Sequence, residues 1–221
     1  MNCSITGDLA QVVHLNFAKG ETCWASKGSI LSIDPEIEWS LKLPGGIGGA
    51  ARRMLSGEGI SLTWFEAKKD NQQVILASNE PGKMIEWDLK DGAVITTRGS
   101  FIAAFGSQID IDVTMAKRPG AAFFGGAGLF LQKISGQGRV IIHGSGDFID
   151  RNIQNNETIL VSTGNLAAFA EQVDYDIKSV AGLKKILFSG EGLFMTRLSG
   201  SGRVLLQSLK RKADIQKKNA D

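Results

Sequence analysis

Residues Gly125–Ile142 read GGAGLFLQKISGQGRVII, and residues Ser189–Leu206 read SGEGLFMTRLSGSGRVLL. Aligned without gaps, nine of the 18 positions are identical. Gly126, Gly128, Leu129, Phe130, Ser135, Gly136, Gly138, Arg139 and Val140 recur as Gly190, Gly192, Leu193, Phe194, Ser199, Gly200, Gly202, Arg203 and Val204. A weaker third copy begins with SGEG at Ser56 to Gly59 and continues through ISLTWF. Each copy reads as a strand, a Gly/Ser turn and a second strand, a hairpin signature. The first copy replaces the tight turn by the charged stretch EAKKDNQQ before VILA.

Upstream of each copy lies a strand with strict alternation: IEWSL (Ile37 to Leu41), IDIDV (Ile109 to Val113) and VDYDI (Val173 to Ile177). Apolar residues hold positions one, three and five, which predicts one face on a core and one face in water. Further upstream, three corners match. Gly20 ends the VHLNFAKG strand, and Gly92 and Asn156 hold the same place later. Gly and Asn are the residues that best tolerate positive φ. A second set follows: Gly28 in SKGSI, Gly99 in TRGSF and Gly164 in STGNL.

These matches divide the chain into three units, about 20–90, 92–153 and 156–209, with a polar tail at 210–221 expected to fray. Corners spaced 72 and 64 residues apart exceed solenoid periods, so the repeat is a small β unit copied in tandem. Composition agrees. Of 221 residues 43% are hydrophobic, enough to bury a core, and 27 Gly against 4 Pro suit many short strands joined by turns. The expectation is an all-β single domain with the three units around a pseudo-threefold axis, so that edge strands pair and hide. A net charge of +2 gives no global field for a polyanion. Two cysteines without a CxxC, and no basic segment followed by an apolar run at the start, set the expectation of a cytoplasmic protein with inert thiols. The uncharged stretch Pro119 to Gln132 is too short and Gly-rich for a membrane span.

The order GDLAQVVHLNFAKGE, the GSI turn, IEWSL and then GGIGGAARRMLSGEGISLTWF resembles the mitochondrial-biogenesis (altered inheritance of mitochondria) family over about Gly7 to Leu209. That family is similar in fold to the tryptophan-activated RNA-binding attenuation protein. The resemblance implies three β units in a barrel of double-stranded β-helix type, assembled as a trimer. Its mitochondrial members are linked to inner-membrane organisation and respiratory-complex assembly. It supplies no catalytic motif to carry onto these residues.

Candidate chemistry is sparse. Gly46, Gly48 and Ala51 fit a dinucleotide fingerprint, but the run after them belongs to a repeated antiparallel element instead of a βαβ unit. Asp110 with Asp112, and Asp174 with Asp176, put paired carboxylates on one strand face; a cation site or cross-strand pairing with Lys or Arg would both use them. Unit one has Glu38 and Ser40 there, which favours pairing. The only histidines, His14 and His143, form no metal-type pair. Trp39 and Trp64 fall on alternating apolar faces, which assigns them to the core. Basic pairs Arg52/Arg53 and Lys184/Lys185, with Lys68/Lys69 and Lys210 to Lys212, offer an interaction surface for nucleic acid or anionic lipid. Phe123 and Phe124 are assigned to a subunit interface. The reading is therefore a non-enzymatic structural or interaction protein without cofactor or metal, a homo-oligomer and most simply a trimer. An RNA- or small-ligand-binding module is the alternative, and a metal-dependent enzyme a more distant one.

Overall fold

In the computed structural model the described residues are 1–44, 61–115, 130–179 and 194–211. They form fifteen strands, and the helical turns among them are single 3-10 turns at Leu89–Asp91 and Thr163–Asn165. The strands are β1 (Asn2–Thr6), β2 (Val12–Phe17), β3 (Thr22–Ala25), β4 (Ile30–Ile33) and β5 (Ile37–Lys42), then β6 (Leu62–Ala67), β7 (Gln72–Ala77), β8 (Gly82–Asp88), β9 (Val94–Thr97) and β10 (Phe101–Met115). β11 (Phe130–Ser145), β12 (Phe148–Ser162), β13 (Leu166–Ala170), β14 (Val173–Ser179) and β15 (Phe194–Gln207) complete the set. The protein is all-β, and its pairing is antiparallel apart from isolated bridges.

The SGQG and SGSG segments are not hairpin turns. Each lies inside one unbroken strand, β11 or β15. The reason is visible at the crossing of β11 with β10, where Gly106 faces Gly138 across the ladder. Gly106 has φ +140°, and a Cβ on it would overlap the Gln137 carbonyl oxygen. Gly136 has φ +118°, and a Cβ there would overlap the Gln108 carbonyl oxygen. In β11 the glycines therefore serve a sharp bend and a close backbone approach rather than a chain reversal. In β15 Gly200 and Gly202 share the positive φ, at +104° and +154°, but a Cβ there would make looser contacts, to the Gln172 carbonyl oxygen at 3.1 Å and to the Ala170 and Val173 side chains at 3.0 Å.

The bend lets one strand serve two neighbours. Before it, Leu131 to Ile134 of β11 pair with β9; after it, Arg139 to Ser145 pair with β8. β15 does the same, with β14 alongside Phe194–Gly200 and β13 alongside Val204–Leu206. In the first unit two strands share the task. β6 pairs with β5 and β3, β7 pairs with β2 and β4, and the charged stretch makes the link. The arginine after each bend has a matching role. Arg139 reaches Glu86 on β8 and lies over Phe105; Arg203 reaches Asp150 on β12 and lies over Trp87. Gln73 on β7 bonds Asn16 on β2 from the corresponding side.

Neighbouring units join by strand pairing, β3 with β10 and β9 with β13. The joining strands FIAAF (Phe101–Phe105) and LAAFA (Leu166–Ala170) are buried on both faces, which explains why they do not alternate. Two apolar cores result. Val13, Leu15, Phe65, Val74 and Ile141 mark one, and Trp87, Val140, Phe169, Leu198 and Val204 the other. The sheets do not close into a barrel. Among the described residues no ladder joins β4 to β12.

The corners are not all alike. Gly20, Gly28, Gly92 and Gly99 have φ of 82°, 82°, 108° and 78°. Asn156, expected at a turn, lies within β12, whose register shifts between Ile153 and Glu157. Gly164 sits in a 3-10 turn without positive φ. The alternating strand IEWSL also departs from expectation. Ile37 is buried, but Trp39 and Leu41 are 56% and 50% exposed.

Gly136→Ala is expected to cost about 3 kcal/mol or more, since a backbone clash adds to strain. Gly20→Ala, with open space around it, is expected to cost about 1 kcal/mol. Urea unfolding of the two variants compares these losses; equal costs would contradict the crossing geometry.

Candidate functional site

One buried polar cluster stands out at the ends of several strands. It forms where the β7–β8 link, the β9–β10 turn, the end of β11, the 3-10 turn after β12 and the segment after β15 meet. Arg211 occupies its middle, with its guanidinium held by five acceptors. Nε donates to Glu80 Oε2 at 3.0 Å, and Nη1 donates to the Arg98 carbonyl at 3.1 Å and to Ser100 Oγ at 2.6 Å. Nη2 donates to His143 Nδ1 at 3.0 Å and to Ser145 Oγ at 3.1 Å. A guanidinium carries five N–H donors, so the number of acceptors equals the number of donors.

Local structure fixes each acceptor. The His143 amide donates to the Ser100 carbonyl at 2.8 Å, and the Ser145 amide donates to Gln207 Oε1 at 3.0 Å. Gln207 Nε2 donates to the Gly164 carbonyl at 2.8 Å. Ser145 Oγ donates to Glu80, so its proton is directed to a carboxylate and not to the imidazole. The two corner glycines of this region have a spatial role. A Cβ on Gly99 would lie 3.1 Å from the Arg211 Cδ and Nε, and one on Gly164 would lie 3.1 Å from the Arg211 carbonyl oxygen.

His143 is fully buried. Arginine only donates, so Nδ1 is the acceptor and the ring proton sits on Nε2. That Nε2 has no hydrogen-bond partner, and a Cβ on Gly82 would come within 2.8 Å of it. Burial and then the Arg211 charge push the imidazole down to about 4; the Glu80 carboxylate and main chain oppose this, the latter without hydrogen-bond geometry to Nε2. Burial pushes the Glu80 carboxyl up, but hydrogen bonds from Ser145 and Arg211 and the Arg211 charge outweigh it, so the net direction is down. The cluster thus holds a neutral imidazole, a carboxylate and one cation. Its geometry suits cation recognition; the hydroxyl and imidazole do not form a nucleophile–base pair.

The other expected site residues are dispersed. Gly20 and Gly28 border open space, and Gly92 faces Gln172. Asn156 lies in β12. Arg52, Arg53, Lys184, Lys185, Phe123, Phe124, Gly46, Gly48 and Ala51 lie outside the described residues. Asp110 and Asp112 are exposed, with Ser135 and Lys133 opposite; Asp176 faces Arg197 across its ladder. Among the described residues no group of His, Cys, Asp and Glu is arranged to hold a metal ion. Trp39 is exposed rather than core, and Trp64 is half-buried beneath Lys42 Nζ, 3.1 Å from its ring centroid. His14 bonds Thr6 at 2.9 Å on an exposed face. Cys3 and Cys23 are free; burial raises Cys3 to about 11, helped by Glu86, and pushes Cys23 higher still. Sequence reasoning missed the cluster because Arg211 stands in a basic run within a tail expected to fray.

The model of the family described as mitochondrial biogenesis AIM24 matches residues 3–209. The chain belongs to this family. An uncharacterized protein of Streptococcus pyogenes serotype M6 is 27% identical over 207 residues, spanning 90% of this chain and 81% of the relative. A crystal structure of another Streptococcus pyogenes protein superposes with a TM-score of 0.78 at 22% identity, covering 95% of this chain and 94% of that one. That likeness supports the fold. No helix among the described residues is long and apolar enough to cross a membrane.

Stability is expected to fall as pH drops from 6.5 towards 4. In that window the unfolded chain binds a proton at His143 that the folded chain refuses. Above 6.5 both states are neutral there and the dependence vanishes. His143→Gln keeps an acceptor but removes the titration, so its urea midpoint is expected to vary less across this window than that of the parent protein.

Proposed function

We propose that the protein is a non-enzymatic interaction scaffold of the cytoplasm, built from three β units about a pseudo-threefold axis and assembled as a homo-oligomer, most simply a trimer. The observation that carries this reading is the apolar row on β5. It starts at buried Ile37, continues through exposed Trp39 and Leu41, and is followed just past the strand by exposed Leu43. This strand ends its sheet, so its outer edge has main-chain groups without a ladder partner among the described residues. An uncovered apolar row beside an open edge is the surface a partner subunit covers, since solvent exposure of both is costly. The recurrence of one pairing pattern in the three units supports the threefold arrangement. The matching of all five guanidinium donors of Arg211 to acceptors supports a structural rather than catalytic use for them.

Light scattering at micromolar concentration tests the proposal. The parent protein is expected to be oligomeric, and Trp39→Glu with Leu41→Glu is expected to shift it to monomer with an unchanged far-UV spectrum. A monomeric parent protein would overturn it.

A further inference from the structure

The cluster around Arg211 has the properties of a receptor and not merely of an ion pair. Its acceptors come from three separate segments, Glu80, Arg98 with Ser100, and His143 with Ser145, and Gln207 braces the last of these through the Ser145 amide. The walls are tied to one another without the guanidinium. Glu80 bonds Ser145, Thr97 Oγ1 lies 3.2 Å from Ser100 Oγ, and Gln207 links Ser145 to Gly164. Thr97 is itself anchored to the Leu166 carbonyl at 2.8 Å. The space is shaped by Gly99 and Gly164, where any Cβ would press on Arg211. The segment carrying Arg211 continues β15 and is held along its length: the Ser208, Leu209 and Arg211 amides donate to the Asp147, Ser145 and Gly164 carbonyls, the Asp147 amide donates to Ser208 Oγ, and Asn165 Nδ2 donates to the Gln207 and Ser208 carbonyls. His143 is placed by its own main chain, whose amide donates to the Ser100 carbonyl at 2.8 Å, and presents Nδ1 to the site while its buried Nε2 has no partner.

We infer that this cluster is a preorganised binding site for a guanidinium group, filled in this chain by Arg211. An arginine side chain supplied by another chain, including a second copy's C-terminal arm, has the same chemistry. The planar fork with five donors selects guanidinium over ammonium, because a lysine offers three donors from one point. This inference is independent of the assembly proposed above.

The test uses the full chain with Arg211→Ala. Its Tm is expected to fall by about 5 °C or more, as the buried acceptors on Ser100, His143 and Ser145 lose their donor. Guanidinium chloride at about 20 mM, too dilute to denature, is expected to restore much of the loss saturably. Ammonium chloride at equal ionic strength is expected not to. Adding Glu80→Gln to Arg211→Ala is expected to remove the rescue. A peptide of sequence QSLKRKADI provides a second arm. Rescue by the peptide below the concentration needed for the free ion identifies a chain-borne arginine as the better occupant; rescue by the ion alone identifies a small guanidino compound. Either supports the site. No rescue by either, equal rescue by ammonium, or rescue that survives Glu80→Gln would overturn it. If Arg211→Ala does not fold, recovery of soluble protein on refolding with guanidinium or ammonium reads the same comparison.

Discussion

The constraint on which the fold depends is main-chain hydrogen bonding at a place where one strand must leave one neighbour and join another. β11 and β15 run for 16 and 14 residues, each along one long partner on one edge, β10 or β12, and along two short strands on the other. Each bends at its Ser-Gly-x-Gly segment, and each half then has its own neighbour. The bend brings carbonyls and Cα atoms of β10 and β11 so close that no side chain fits between them. Glycine is thus required by contact as well as by φ. Once the bend is set, the placement of β8, β9, β13 and β14 follows, and with it the two cores. Arg139 and Arg203 secure the far side of the bend by joining a carboxylate on the next strand and covering an aromatic ring.

The same geometry gathers strand ends around Arg211. A buried cation is tolerated only if its charge and all its donors are matched, because desolvation of an ion costs more than an isolated pair returns. Here the carboxylate of Glu80, two hydroxyls, a carbonyl and an imidazole nitrogen meet that demand. The consequence is electrostatic as well as structural. Burial between β8 and β10, and then the guanidinium on Nδ1, keep His143 neutral. The first residues of the C-terminal tail therefore belong to the packed structure.

Much of the architecture was legible in the sequence. Alternation in IDIDV and VDYDI correctly placed Ile111 and Val173 inside and Asp110, Asp112 and Asp174 outside, and the internal copies revealed the matching strands. What alternation could not reveal was coverage. Trp39 sits on the same side of its strand as Ile37, yet nothing among the described residues covers it, because periodicity records a face and not its partner. Glycine pairs were read as turns because reversal and close approach demand the same residue; only the facing Gly106 distinguishes them. Asn156 shows the converse, a turn-type residue absorbed into a bulged strand. The Arg211 site left no local signal, since its members are scattered from Glu80 to Arg211 and carry no fixed spacing.

The central claim, that the Ser-Gly-x-Gly segments are strand crossings, is tested most directly by nuclear Overhauser contacts of the glycine α-protons. The crossing predicts a strong contact between Gly106 and Gly138, together with contacts from Gly136 to Gln108 and Ile109. A contact pattern of chain reversal, linking Ser135 to Gly138 and Ile134 to Arg139 with none to Gly106, would contradict it.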